Sequence, residues 1–262
     1  MKQKHGIVTG GGKGIGLSVI KSLLNNNYAV TTITRSKSVE LENLKKNYED
    51  SLNIIYFDLK NIESVNKIFK DVFKKNSFSF LINNVGIRSR YPFTKIKDKK
   101  IIDVINTNFL SSFIITKEYI RNIKKNNSFQ HSIVSITSIV GPQGFSNLSS
   151  YAASKGALEA SMKSLAVEYG SKNIRINCIA PGFVKTSYYN SFKKNRPKLY
   201  KWTLEKILSF TILSSVIIFL NLLICKSLLL IIVYELFFDL YKYKYIKKIK
   251  ILKTIMKICN EI

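Results

Sequence analysis

Tyr151 and Lys155 stand four residues apart in Tyr151-Ala-Ala-Ser-Lys155, and Ser138 lies thirteen residues ahead of the tyrosine. On a helix, residues four apart share a face, one turn above the other. An ammonium held there favours the phenolate of a tyrosine whose free pKa is about 10, which makes the phenol a usable general acid or base near neutral pH. Tyrosine and lysine are both common in this chain, so the pair alone is a weak signal. Its weight comes from its company.

Thr9-Gly10-Gly11-Gly12-Lys13-Gly14-Ile15-Gly16 falls between an apolar strand and the start of a helix. In such a turn, backbone N–H groups and the helix dipole can meet a pyrophosphate. Gly10, Gly14 and Gly16 give a G-x-x-x-G-x-G spacing rather than G-x-G-x-x-G, and no Gly-Lys-Ser/Thr closes the turn as in a Walker A loop. After the second strand, where NAD-binding folds carry an acidic residue for the ribose 2′-hydroxyl, the chain reads Thr34-Arg35-Ser36. Arg35, with Lys13, suits a 2′-phosphate, so NADP(H) is favoured over NAD(H). Asp58, just after the third strand, is placed to reach an adenine amino group and is equally an ordinary turn residue.

Positioning these groups requires alternating strands and helices. Strands are predicted at Gly6–Thr9, Ala29–Thr34, Ile54–Phe57, Phe80–Asn83, Ser132–Ile136 and Arg175–Ile179. Helices are predicted over 14–26, 38–48, 61–74, 98–124 and 149–170. The near-continuous apolar character of the strands fits a sheet covered on both faces. The predicted fold is therefore α/β, a doubly wound parallel sheet with Rossmann-type dinucleotide binding.

The formal net charge is +26 over 262 residues. Residues 1–186 carry 28 basic and 12 acidic side chains, and residues 187–262 carry 14 and 4, so the excess is spread along the chain. No basic patch coincides with a nucleic-acid motif, and nucleic acid is not an expected partner. Cys178, Cys225 and Cys259 share no short spacing, and His5 and His131 are isolated, which predicts neither a disulfide framework nor a metal site. Met1-Lys-Gln-Lys-His5 leads straight into a strand with no signal-peptide pattern, so a cytoplasmic location is expected.

With these residues in hand, the chain resembles the short-chain dehydrogenase/reductase family, and within it the 3-oxoacyl-[acyl-carrier-protein] reductase type. The matching motifs are TGGGKGIG at 9–16, NNVG at 83–86, Asn108 in INTNF, ITS at 136–138, YAASK at 151–155 and NIRINCIAPGFVKT at 173–186. They follow the family's order over about 185 of the 262 residues, with Val85 where the family usually has Ala. The resemblance implies NADPH-dependent reduction of a ketone to an alcohol, of a 3-oxoacyl thioester in fatty acid metabolism. Tyr151 would donate the proton, Lys155 would hold the nicotinamide ribose and lower the Tyr151 pKa, and Ser138 would bond the carbonyl oxygen. Asn108 would hold a water that links Lys155 to solvent. Asn84, Gly86, Ile179, Pro181, Gly182 and Thr186 would line the cofactor groove. Lys124, Lys125 and Lys172 would meet an acidic acyl carrier protein, and the family's homo-oligomer is in doubt here.

The texture changes after Thr186, which gives a reductase domain over 1–186 and a distinct end. Residues 187–206 are polar and basic, and Lys198–Ile207 resembles the end of the family's substrate lid. Residues 207–262 show no counterpart to the family's last strand and terminal glycines. Ile207–Ile224 is an apolar run of 18 residues without a charge. Three readings stand side by side: a frameshifted gene end, a membrane segment at 207–224 that would tether the reductase, and divergent buried helices. Under the first, the protein is a catalytically impaired remnant that binds nucleotide at most.

Overall fold

The computed structural model describes residues 3–75, 77–123 and 130–182, with positions 184 and 194. By its internal contacts the chain divides into one unit of Met1–Ala180 with Leu252–Ile262 and another of Pro181–Ile251. Of the second unit, only Pro181, Gly182, Val184 and Lys194 are among the described residues. The lid segment 187–206 (Lys194 apart), the apolar run 207–224 and the rest of the tail lie outside them. Among the described residues no helix is long and apolar enough to cross a membrane.

The first unit follows the predicted alternation. Strands β1 (His5–Thr9), β2 (Ala29–Thr34), β3 (Leu52–Tyr56), β4 (Phe80–Asn83), β5 (His131–Ile136) and β6 (Ile174–Ile179) form one parallel sheet in the order β3-β2-β1-β4-β5-β6. Helices α1 (Gly14–Asn25), α2 (Val39–Asn47), α3 (Ile62–Lys75), α4 (Asp98–Ile105), α5 (Ser111–Asn122), α6 (Val140–Gln143) and α7 (Ser149–Tyr169) connect and cover it. β1 has β2 on one side and β4 on the other, so the winding direction reverses there. In open parallel sheets the crevice beyond the strand ends at such a reversal is where ligands bind.

Register explains the core. Ile7, Leu81, Ile133 and Ile176 are paired neighbours across β1, β4, β5 and β6, and all are buried in one cluster. That cluster includes Val65 and Phe69 of α3, Ile115 and Tyr119 of α5, and Leu158 and Met162 of α7. Because strand side chains alternate faces, Val8, Ile82 and Val134 form a second buried row on the opposite side. Truncating one of the large members, such as Phe69→Ala, removes about 3–5 kcal/mol. Gly6 pairs with Phe80, and a Cβ at Gly6 would fall 1.9 Å from the Phe80 ring, so the aromatic fills the space that glycine vacates.

Three local features depart from the periodic reading. The predicted helix 98–124 is interrupted at Asn106–Leu110 by a π turn, which separates α4 from α5. The short helix α6 and a 3-10 turn at Phe93–Lys95 are additional. α2 is capped as its composition suggests: the Ser38 hydroxyl accepts the Leu41 N–H, with Glu40 and Glu42 in the first turn and Lys45 and Lys46 in the last.

Candidate active site

The glycine turn leaves β1 with its backbone already committed. Gly10 has φ +71° and Gly14 φ +60°, conformations that side chains with a Cβ rarely adopt. The Gly10 N–H donates to Ile33 O at 2.7 Å. A Cβ on Gly16 would lie 2.3 Å from Gly10 O, and one on Gly12 would lie 2.8 Å from Thr34 Oγ1. Gly11 belongs to the packing, since a Cβ there would strike Thr32 Oγ1 at 2.2 Å and Ile20 Cδ1 at 2.3 Å. α1 starts at Gly14 with no side-chain cap from Lys13. Its first N–H groups therefore carry the orphan donors and dipole that suit an anion, with half-buried Ile15 in the first turn. Gly10, Gly12 and Gly16 keep the turn packed close on its own neighbours, and the uncapped N-terminus of α1 that follows suits a pyrophosphate.

The ends of β1 and β4 are bolted together beside this turn. Thr9 Oγ1 accepts the N–H groups of Asn84 at 3.0 Å and Val85 at 3.1 Å. Asn84 Nδ2 in turn donates to Thr9 O at 3.0 Å and Gly10 O at 3.1 Å. Lys13 and Arg35 are exposed, and Arg35 follows β2 directly. Asp58 is half-buried; its carboxylate accepts the Lys60 N–H at 3.2 Å and lies 3.8 Å from Lys60 Nζ, an Asx-type turn contact.

The second cluster assembles from β5, α7 and the π turn. Lys155 is 3% exposed and its Nζ donates to Ile136 O at 2.7 Å. Burial pushes this ammonium down to about 8, while the nearby Cys178 thiol acts in the opposite direction. Asn108 is fully buried: its Oδ1 accepts the Ile87 N–H at 2.7 Å and its Nδ2 donates to Ile87 O at 2.9 Å. The same Nδ2 donates to Ser154 Oγ at 2.9 Å, and Ser154 Oγ donates to Tyr151 O at 2.8 Å. A Cβ on exposed Gly86 would lie 3.4 Å from Lys155 Nζ and 3.5 Å from Asn108 Oδ1. Asn108, Lys155 and Gly86 thus meet around one notch.

Ser138 sits just past β5, 7% exposed, and its hydroxyl accepts the Val140 N–H at 3.2 Å at the start of α6. α6 touches α7 backbone to backbone: a Cβ on Gly141 would lie 3.1 Å from Gly156 N and 3.3 Å from the Lys155 carbonyl carbon. Two glycines therefore let the Ser138 segment approach the turn that carries Tyr151 and Lys155. The Thr137 N–H and hydroxyl both donate to Ile179 O, at 2.8 and 3.1 Å, which ties the end of β5 to the end of β6. Pro181 and Gly182 follow in the chain; Thr186, Lys124 and Lys125 lie outside the described residues. Lys172 is described, with its ammonium 4.5 Å from the centroid of the Tyr169 ring.

Ser154, Gly141 and Gly156 escaped the sequence reading. A serine between two singled-out residues and glycines in ordinary contexts carry no spacing signal. They become meaningful only when α6, α7 and the π turn are brought into register.

Comparison with known proteins agrees with this geometry. A family model described as short chain dehydrogenase matches residues 4–197. The chain is 31% identical over 189 residues to 3-oxoacyl-[acyl-carrier-protein] reductase FabG of Buchnera aphidicola subsp. Acyrthosiphon pisum, covering 72% of this chain and 76% of the relative. It is also 31% identical over 181 residues to carbonyl reductase family member 4 of Danio rerio, covering 69% and 75%. Among solved structures, ElxO with NADP bound is similar at 30% identity with a TM-score of 0.65, covering 74% of this chain and 79% of that one. 4-Hydroxyisoleucine dehydrogenase complexed with NADH is similar at 29% identity with a TM-score of 0.69, over the same shares of the two chains. The chain belongs to the short-chain dehydrogenase family, as an oxidoreductase that uses a nicotinamide dinucleotide.

Proposed function

We propose that the protein is an NADPH-dependent reductase that converts the ketone of a 3-oxoacyl thioester to the alcohol. One observation supports this reading: Ser154 links Asn108 to the Tyr151 backbone carbonyl, and Asn108 and Lys155 face one notch beside Gly86, with Lys155 fixed by Ile136 O. When bound, the reduced nicotinamide supplies the hydride. Tyr151 supplies the proton to the carbonyl oxygen, and the Ser138 hydroxyl stabilises the charge that develops there. Lys155, fixed by Ile136 O, holds the ribose hydroxyls and presents a positive charge to the phenol.

Asn108 acts in proton supply. Both hydrogens of its amide are used within the protein, while Oδ1 keeps a second lone pair beyond its bond to Ile87. Gly86 leaves the space between Oδ1 and Lys155 Nζ without a side chain, which suits a water that passes protons from solvent. Thr9, Gly10, Gly12, Gly14, Ile15, Gly16 and Asn84 make the cofactor groove in this reading, and Asp58 faces the adenine; Pro181, Gly182 and Thr186 belong with it only as the resemblance implies. Arg35 and Lys13, exposed and with no carboxylate at the end of β2, favour the 2′-phosphate of NADP(H). An acidic acyl carrier protein is the proposed bearer of the substrate.

The test is NADPH oxidation by the full chain with an acetoacetyl thioester, followed at 340 nm, in parallel with NADH. Turnover that prefers NADPH and is lost in Tyr151→Phe supports the reading. Nucleotide binding without turnover on any ketone would replace it with that of a catalytically impaired remnant.

A further inference from the structure

Arg88 lies two residues beyond Gly86 on the loop after β4, and its guanidinium carbon is 5.9 Å from the centroid of the Tyr151 ring. Both residues are half-buried. The loop is pinned on each side of the arginine. Asn108 holds both backbone groups of Ile87, at 2.7 and 2.9 Å, and the Tyr91 N–H donates to Asn147 O at 3.0 Å, just ahead of α7. Ser89, between these anchors, is 2% exposed. The arginine is thus held against the proposed proton donor by fixed backbone.

Its identity is informative as well. Of 42 cationic residues in the chain only six are arginine, at 35, 88, 90, 121, 175 and 196. Lysine supplies the rest of the basic side chains, so Arg88 is one of few positions in the chain that carry a guanidinium. Arginine presents a planar fork of donors matched to a pair of oxygens, whereas an ammonium is a hydrated point charge.

We infer that Arg88 is a specificity-determining residue: it binds a second acyl oxygen of the substrate, a few atoms from the ketone that Tyr151 protonates. A 3-oxoacyl substrate then gains from Arg88 a contact that a simple ketone cannot make. This deepens the proposed reductase reading and rests on it. The shared chemistry is an acyl oxygen acceptor, which either a thioester carbonyl or a free carboxylate provides.

Three substrates separate the sources: an acetoacetyl thioester, free acetoacetate and 2-pentanone, each assayed with wild type, Arg88→Met and Arg88→Lys. The expected result is that Arg88→Met lowers the kcat/KM ratio of a 3-oxoacyl substrate to 2-pentanone by about 30-fold, the size of one lost charge-assisted hydrogen bond. Arg88→Lys restores only part of that ratio. A larger loss on the thioester identifies the acyl carbonyl as the ligand, and a larger loss on acetoacetate identifies the carboxylate. An unchanged ratio overturns the inference, including the case in which all three substrates slow equally because Arg88 acts on Tyr151 alone. Calorimetric titration of the NADP⁺-loaded protein with acetoacetate gives an independent readout. If wild type binds acetoacetate at least tenfold more tightly than Arg88→Met but reduces no ketone, the reductase reading is sunk and Arg88 is kept as the acyl-oxygen site. Brisk turnover with an unaltered ratio would do the reverse.

Discussion

The Ser154 hydroxyl accepts a hydrogen bond from Asn108 Nδ2 at 2.9 Å, a link across 46 positions of sequence, and passes one on to the Tyr151 carbonyl at 2.8 Å. One fully buried oxygen therefore couples the π turn to the helical turn that carries the proposed proton donor. Ser154→Ala is expected to lower kcat about tenfold with little change in the dissociation constant for NADPH, measured by fluorescence. The change removes two hydrogen bonds and leaves one buried Asn108 N–H without its acceptor, a cost of about 1–3 kcal/mol that alanine's better helix propensity offsets only in part, so the melting temperature should fall by a few degrees. In an Asn108→Ala background the same change should have almost no further effect on kcat. Additive losses would show that Ser154 does not act through Asn108.

Lys155 is a cation held in a place where burial opposes its charge. Its folded pKa is lowered to about 8, so between there and its ordinary value near 10.5 the unfolded chain binds a proton that the folded chain does not. This group's contribution to stability is therefore unfavourable at neutral pH and the penalty is relieved as pH rises through that window. Lys155→Met should abolish reduction while raising stability at pH 7 by about 1–3 kcal/mol, read by urea unfolding. Wild-type reduction should decline above about pH 8 as the ammonium discharges. A destabilised Lys155→Met variant would contradict the expected sign.

The two histidines respond at the other end of the scale. Burial lowers His5 to about 4 and lowers His131 as well; His5 Nε2 lies 2.9 Å from Thr31 Oγ1, and His131 Nδ1 lies 3.1 Å from the Tyr119 hydroxyl. Below about pH 6.5 the unfolded chain takes up protons that the folded one refuses, so stability falls as pH drops from 6.5 toward 4. His5→Gln, whose amide nitrogen reaches the position of Nε2 and can still bond Thr31, should flatten that decline in urea midpoints measured between pH 7.5 and 4.5. An equal slope in the variant would assign acid sensitivity elsewhere.

Glycines at the site divide into two kinds by what a methyl group would meet. Gly16→Ala places Cβ 2.3 Å from Gly10 O, a backbone atom, and should destabilise the fold along with cofactor binding. Gly86→Ala meets Lys155 Nζ and Asn108 Oδ1 at ordinary contact distances, 3.4 and 3.5 Å. It should fold with a melting temperature near wild type and slow turnover by about a hundredfold, the lower end expected from losing one positioned proton-transfer group. A solvent isotope effect larger in Gly86→Ala than in wild type would locate the loss in proton supply. An unchanged rate would mean that the notch is not used.

The strands and the glycine turn were legible because they depend on local composition: apolar runs, and glycines where φ must be positive. Tyr151, Lys155 and Ser138 were legible through spacing and resemblance. The burial of Lys155 was not, since a lysine in this chain is one of many and nothing local marks it as the one against Ile136 O. The π turn was equally hidden: Asn106–Leu110 uses helix-compatible residues, and a reading at 3.6 residues per turn passes straight through it. Ser154 and the Gly141–Gly156 approach depend on how α6 and α7 cross, which no stretch of a few residues encodes. Arg88 carries no spacing signal and gains meaning only from the loop that Asn108 and Asn147 hold.

The π turn has a consequence for protein engineering. A π turn is an α-helix that carries one residue too many, and each helical residue advances the rotation by about 100°. Deleting Thr107 should splice α4 and α5 into a single uninterrupted rod from Asp98 to Asn122, with every outer contact of both halves still in phase. Asn108 would then turn away from Ile87 and Ser154. Helical regularity and a working site are alternatives at this position, and the shorter chain would serve as a folded blank: the same scaffold, one residue fewer, with its proton line cut.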